Sequence, residues 1–153
     1  MLYFDTSFLA PLILEEATSA AVEQFIRGLP AGELAVSQLA RIEFSSLLAR
    51  EVRMGGLDAK SARAADAQFE TILTESFLVL LPTAADFDLA KKYLADPKTG
   101  LRAGDALHLA VATNHGAEAI YSLDKTLLKA GRRLGLPASA GIKLRAMVRR
   151  QVG

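Results

Sequence analysis

Four carboxylates in this chain of 153 residues stand where an α/β protein gathers its chemistry. Asp5 follows a short apolar run, Met1 to Phe4, and is itself followed by two hydroxyls, Thr6 and Ser7. Asp124 closes another apolar run, Ala119 to Leu123. Glu43 lies in a helical stretch after a third run, Leu34 to Val36, and Asp105 opens the apolar segment Asp105 to Ala112. Strand ends and helix starts at one edge of a parallel sheet can converge on a single crevice. Four carboxylates gathered there cannot all ionise cheaply unless a hard cation compensates them. A site offering only oxygen ligands suits Mg²⁺ or Mn²⁺. Such a site activates water and stabilises the charge that builds on a phosphodiester in flight.

Each of the four also has a purely structural alternative, and spacing alone does not choose between them. Asp5 and Asp124 can cap the helices that follow them. Asp105 near a helix N-terminus gains from the macrodipole, worth about 0.3–1 kcal/mol. Glu43 can pair with Arg41 or Arg50 on a helix surface.

Composition narrows the chemistry further. There are no cysteines, which rules out disulfides, thiolate metal sites and cysteine nucleophiles. No basic-then-apolar leader and no long apolar segment is present, so a cytoplasmic protein without a membrane span is the expectation. Charge is distributed unevenly. Residues 1–124 carry 10 Lys/Arg against 17 Asp/Glu, a net −7, while residues 125–153 carry eight Lys/Arg and no acid. An acidic body with a basic C-terminal segment suits a metal site beside a surface that meets an anion, although a merely solvated basic end gives the same pattern.

The elements that must position these residues alternate in type. Short apolar runs at Met1–Phe4, Leu34–Val36, Phe77–Leu81 and Ala119–Leu123 read as strands. Between them, helical periodicity covers Phe8 to Gly28 in two pieces, with Pro11 in the first turn and Thr18 starting the second. Ser37 is placed to cap Gln38 to Met54, where Leu39, Ile42, Leu47 and Val52 are the expected core positions. Asp58 is placed to cap Ala59 to Glu75, Thr83 to cap Ala84 to Ala95, and Leu101 to His115 ends at Gly116. Lys125 to Ala130 is a short helix. Gly131 to Gly141 is loop with a small final strand, and Ile142 to Val152 is a basic amphipathic segment. The alternation implies one domain over residues 1–153, a three-layer α/β/α sandwich around a mostly parallel sheet.

Taken together, Asp5-Thr6-Ser7, Glu43, the run Arg102-Ala103-Gly104-Asp105-Ala106-Leu107-His108-Leu109-Ala110, and Ser122-Leu123-Asp124-Lys125 resemble the PIN-domain family. Within it the chain is most similar to small bacterial toxins of the VapC type, over essentially its whole length. The resemblance implies a metal-dependent endoribonuclease with Mg²⁺ or Mn²⁺ as cofactor. Asp5, Glu43, Asp105 and Asp124 would form the acidic quartet, with Asp5 and Asp105 as the firmest metal ligands. Thr6 and Ser122 match hydroxyl positions that orient the site, and Ser122 departs from the Thr of many relatives while keeping the hydroxyl. The resemblance also implies an RNA substrate, a homodimer and a cognate VapB-type antitoxin that enters the groove.

Arg102, Lys125, Lys129, Arg132 and Arg133 lie near the acids in sequence and form the candidate rim for RNA phosphates. His108 is the expected packing histidine of its helix, the alternative being a hydrolytic dyad with Ser7. His115 is the expected helix-dipole partner. No phosphate-binding glycine loop and no dinucleotide fingerprint is present. Two further classes compete with the nuclease: a PIN-like module that binds RNA or protein without cutting, and a phosphatase or DNA nuclease using the same acids.

Overall fold

The computed structural model describes residues 1–144, so most of the expected basic amphipathic segment at 142–152 lies outside the described residues. Five strands, β1 (Leu2–Phe4), β2 (Leu34–Ser37), β3 (Leu78–Leu80), β4 (Ala119–Tyr121) and β5 (Ala138–Ser139), form one sheet in the order β3-β2-β1-β4-β5. All four pairings are parallel. The first strand of the chain is therefore the central one. The chain builds outward to β3 on one side, then crosses to β4 and β5 on the other. That reversal places the crevice beside the C-terminal ends of β1 and β4.

Alternate residues of the central strands feed two separate cores, as the period of a strand requires. Tyr3, Ala35 and Ile120 point to one face, where they meet α5 (Ala84–Leu94), α6 (Ala103–Asn114) and α7 (Lys125–Arg133). Phe4, Val36 and the partly buried Tyr121 point to the other. There they meet α1 (Thr6–Leu9), α2 (Ser19–Arg27), α3 (Leu39–Arg53) and α4 (Ala59–Ser76). Helices thus cover both faces, and the three-layer α/β/α sandwich read from the sequence is the observed architecture. α6 is buried from Ala106 through Ala112 without a break, which marks it as an interior helix rather than an amphipathic one.

Local differences from the sequence expectations have simple causes. The first helical piece is one α-helical turn, α1, continued by a 3₁₀ turn at Ala10–Leu12 that carries Pro11. Ile42 is not a core residue: it is 68% exposed, while Ala40, Phe44 and Leu48 face inward. Residues 40, 44 and 48 repeat at i, i+4, i+8, and position 42 lies on the opposite side of the helix. Leu39 and Leu47 do pack against the cores as expected, but the fully buried stripe of α3 runs through Ala40, Phe44 and Leu48 and leaves Ile42 outside. Ser37 ends β2 instead of preceding the helix directly, yet its Oγ still accepts the Leu39 N–H at 3.1 Å. β3 is an edge strand, and Leu78 and Leu81 are left largely exposed on it and just beyond it. α6 starts two residues later than expected, α7 runs on to Arg133, and the small final strand is β5. Among the described residues no helix is long and apolar enough to cross a membrane.

Candidate active site

Asp5 leaves the end of β1 and folds back over the first turn of α1. Its Oδ1 accepts the Phe8 N–H at 3.0 Å, which caps that helix, and the Ser7 hydroxyl at 2.7 Å. Its Oδ2 accepts the Ser122 hydroxyl at 2.5 Å from the end of the neighbouring strand, β4. A carboxylate oxygen has two lone pairs, so Oδ1 is saturated and Oδ2 keeps one free. Ser7 and Ser122 each accept a backbone N–H as well, from Leu123 at 3.0 Å and Asp124 at 3.0 Å. The two hydroxyls therefore lock the β1 and β4 ends together around Asp5. The cap predicted for Asp5 is real, but it occupies only one of several bonds. Asp5 is 3% exposed, and burial holds its carboxyl above the ordinary Asp range against the opposing pull of His108, Ser122, Ser7 and Phe8.

Glu43 projects from the second turn of α3 towards the same edge. Its Oε1 accepts the Thr6 hydroxyl at 2.7 Å and is also bonded to Nε2 of His108. Burial pushes the Glu43 carboxyl up, but the His108 bond and charge together with the Thr6 bond outweigh it and hold the group below its usual range. The same pair acts in reverse on His108: burial pulls its pKa down, while Glu43 first, then Asp5 and Asp105, bring it above the usual value. His108 is buried and its Nδ1 is bonded to the Tyr3 hydroxyl at 2.7 Å. Glu43 is not the surface partner of Arg41, which pairs instead with Glu70 at 2.9 Å.

Asp105 sits in the first turn of α6, and Asp124 caps α7, its Oδ1 accepting the Thr126 N–H at 2.8 Å and the Leu127 N–H at 3.2 Å. Burial, then the charge of Asp124 and, more weakly, that of Asp5 push the Asp105 carboxyl up, while the Arg102 backbone works against the shift. Glu43, Asp105 and Asp124 line one cleft of about 550 Å³ together with Arg102, Gly104 and Thr126. Asp5 lies behind it and reaches it electrostatically through Asp105. Gly104 leaves room beside the Glu43 carboxylate: a Cβ there would stand 3.0 Å from Oε2 of Glu43, which would have to shift.

The rim is only partly as expected. Arg102 lines the cleft and is exposed, and Lys125, Lys129 and Arg132 are exposed on α7. Arg133 is engaged with Asp96 at 2.9 Å. His115 bonds the Val111 carbonyl at 2.8 Å, in keeping with its place at the end of α6. Ser7 and His108 do not form a dyad, since Ser7 is committed to Asp5 and His108 to Tyr3 and Glu43. Ser7 and Tyr3 are the site residues that sequence reasoning missed. Ser7 was visible as the hydroxyl two residues after Asp5, but nothing in the sequence marks Tyr3.

Among the described residues no three His, Asp or Glu side chains already stand at mutual distances that would hold a metal ion. The donor set nonetheless fits a divalent cation. It offers hard oxygens only, with free lone pairs on Asp5 Oδ2 and Glu43 Oε2, and among the described residues no cationic side chain pairs with Asp105 or Asp124. The upward push that Asp124 and Asp5 exert on Asp105 is the repulsion such a cation would offset.

The PIN domain family model matches residues 2–133. No curated protein sequence matches the chain significantly. Among solved structures, the chain is similar to the Mycobacterium tuberculosis toxin VapC20, which cleaves the sarcin-ricin loop. That match has 24% identity and a TM-score of 0.68, and covers 86% of this chain and 95% of VapC20. A toxin–antitoxin complex from Klebsiella pneumoniae matches at 14% identity and a TM-score of 0.65, covering 94% of this chain and 100% of that one. PAE2754 from Pyrobaculum aerophilum matches at 26% identity and a TM-score of 0.62, covering 85% and 79%.

Proposed function

Because the chain belongs to the PIN-domain family, we propose that it is a Mg²⁺- or Mn²⁺-dependent endoribonuclease and the toxin of a toxin–antitoxin pair. One observation carries the proposal: Glu43, Asp105 and Asp124 face one cleft at the C-terminal edge of the sheet, with Asp5 immediately behind. The cation would be held by Asp5 and Asp105, with Glu43 and Asp124 contributing directly or through water. Bound there, it would supply a Lewis acid that lowers the pKa of a water and neutralises charge growing on the phosphate.

The chain's own residues have separable tasks. Glu43, held ionised, presents its free Oε2 to the cleft and orients the attacking water. Ser122 and Ser7 fix Asp5, and Thr6 fixes Glu43. Arg102 at the cleft and the exposed Lys125 beside it hold the RNA backbone. The similarity to VapC20 and to the Klebsiella complex supports extending the toxin role and an antitoxin partner to this chain, and the family resemblance adds a homodimer and a VapB-type antitoxin.

A second reading, a PIN-like module that binds without cutting, draws on the enclosure of Asp5 by Ser7, Ser122 and Phe8. One experiment separates them. Purified, antitoxin-free protein is incubated with a structured RNA pool and a matching DNA pool, in Mg²⁺, in Mn²⁺ and in chelator, beside Asp105→Asn and Asp5→Asn. Metal-dependent cutting of RNA that both substitutions abolish at unchanged melting temperature is expected. Full activity in both variants refutes the quartet, and RNA binding without cutting in any metal favours the module.

A further inference from the structure

Tyr3 and His108 are 105 residues apart in the chain, and their polar ends meet inside the molecule. Both are enclosed, at 0% and 2% exposure, within the apolar layer between the sheet and α6. Phe and Leu would fill the same space without placing polar atoms in an apolar interior, which is costly unless they are fully bonded. Here they are bonded: the Tyr3 hydroxyl meets Ser37 as well as Nδ1 of His108, and Nε2 of His108 carries the chain of bonds outward to Glu43.

Resting on the nuclease reading above, we propose that Tyr3 and His108 are positioning residues: they hold the Glu43 carboxylate so that Oε1 is taken by the interior and Oε2 is presented to the cleft. Oε1 receives the Thr6 hydroxyl and the His108 Nε2–H, which uses both of its lone pairs. An ionised carboxylate only accepts, so Nε2 must carry a hydrogen, and the ring cannot rotate without breaking a bond on each side. Tyr3 closes the relay at Nδ1, 2.7 Å away, with its ring against the imidazole at 63°. On the far side of the carboxylate, Gly104 leaves the room that a Cβ would remove, 3.0 Å from Oε2. Glu43 otherwise stands on an open stretch of α3, where Arg41, Ile42, Ser45 and Ser46 are all exposed. A free glutamate there would sample many rotamers, and Thr6 alone would leave its far oxygen free to swing. Outer partners of this kind are worth about 10–100-fold in metal affinity or activity when removed.

The test compares Tyr3→Phe, His108→Leu and His108→Gln with the native protein. Three quantities are read: melting temperature, Mn²⁺ affinity by electron spin resonance of free Mn²⁺ without RNA, and kcat and KM for RNA cleavage. His108→Leu is expected to weaken Mn²⁺ binding or lower kcat by about 10–100-fold with little change in KM. His108→Gln, which keeps an N–H at the far end of the side chain, is expected to recover most of the loss. Tyr3→Phe, the removal of one oxygen, is expected to fall between native and His108→Leu.

A folded His108→Leu protein that binds Mn²⁺ and cuts RNA as the native one does overturns the proposal. Equal impairment of the Leu and Gln variants also overturns it, because packing would then be the cause. Should His108→Leu not fold, Tyr3→Phe decides, and native Mn²⁺ affinity and kcat in that variant refute the relay. A native protein that neither binds Mn²⁺ nor cuts RNA defeats the nuclease itself and the positioning role with it. That outcome is distinct from a native protein that does both while its variants are unaffected.

Discussion

Ser122→Ala removes one oxygen from the end of β4, and its cost should depend on pH. The Ser122 hydroxyl donates to the buried Oδ2 of Asp5 and accepts the Asp124 N–H. A hydrogen bond to a charged group contributes about 1.5–3 kcal/mol and one between neutral groups about 0.5–1.5 kcal/mol. Above the folded pKa of Asp5, where the carboxylate is ionised, the substitution should therefore cost about 2–4.5 kcal/mol over both bonds. Burial holds the Asp5 pKa in the folded protein above its unfolded value, so the fold binds this proton more tightly than the unfolded chain does. Asp5 accordingly stabilises the fold most below its unfolded pKa, and that contribution is lost as pH rises through the folded pKa. Removing the Ser122 donor raises the folded pKa further and extends this decline to higher pH. Below both pKa values Asp5 is protonated, the lost bond is a neutral one, and the penalty should shrink by about 1–1.5 kcal/mol. Urea unfolding of native and Ser122→Ala protein over a pH series, from acidic to alkaline, in which both remain folded measures the two differences. A penalty that stays the same across the whole pH series would refute the assignment of Asp5 as a buried carboxylate that depends on Ser122.

Three further outcomes follow from the same geometry. Gly104→Ala should lower RNA cleavage by at least about tenfold, since a misplaced catalytic group of this kind costs up to about 10²-fold. The same change should leave the melting temperature unchanged or raised, because Ala favours a helix over Gly by about 0.5–1 kcal/mol; full activity would show that Glu43 moves aside without consequence. Ile42→Lys should alter stability by no more than about 0.5 kcal/mol, whereas Phe44→Ala, which vacates the stacked Phe44–Phe69 pair, should cost about 3–5 kcal/mol; denaturant midpoints that reverse this order would mean that α3 is rotated. Mn²⁺ at a hundredfold excess over its dissociation constant should stabilise the native fold by about 2.7 kcal/mol. Chelator should remove that gain and Asp105→Asn should abolish it, and a melting temperature indifferent to Mn²⁺ in native protein would argue against a cation in the cleft.

The layers of the sandwich and the edge at which the acids collect were legible because they depend on local signals. Short apolar runs ended by Asp5 or by Ser122-Leu123-Asp124 read as strands, and the parallel sheet brings their ends to its C-terminal edge. The burial of α6 is equally plain in six small or apolar residues, Ala106 to Ala112, interrupted only by His108. Ile42 is the misplaced residue of α3: it offers a strong hydropathy signal from the exposed side, while Ala40, Phe44 and Leu48 face inward and Leu39 and Leu47 pack against the cores. Such an error is intrinsic to reading one helix without its partner, since α4 supplies the Phe69 ring that makes Phe44 the inward residue.

What the sequence withheld is the wiring between the acids and their supports, and the reason is register. Tyr3 looks like any aromatic in a central strand, and His108 like any polar residue one turn beyond Asp105. Their meeting follows from α6 lying across the face of β1 on which Tyr3 stands, a relation fixed by the crossover from β3 to β4 and not by any local pattern. Ser7 is similar: it reaches Asp5 two residues away, but its second bond, from the Leu123 N–H, exists only because β4 pairs in parallel beside β1 and ends level with it. Two of the acids are therefore supported in part from a different element than the one that carries them. Asp5 on β1 is held from β4, and Glu43 on α3 is held from α1 and α6. Holding a charge from elsewhere makes its orientation depend on the tertiary fold as a whole. The cleft should consequently lose its geometry when packing loosens, before the helices themselves unfold.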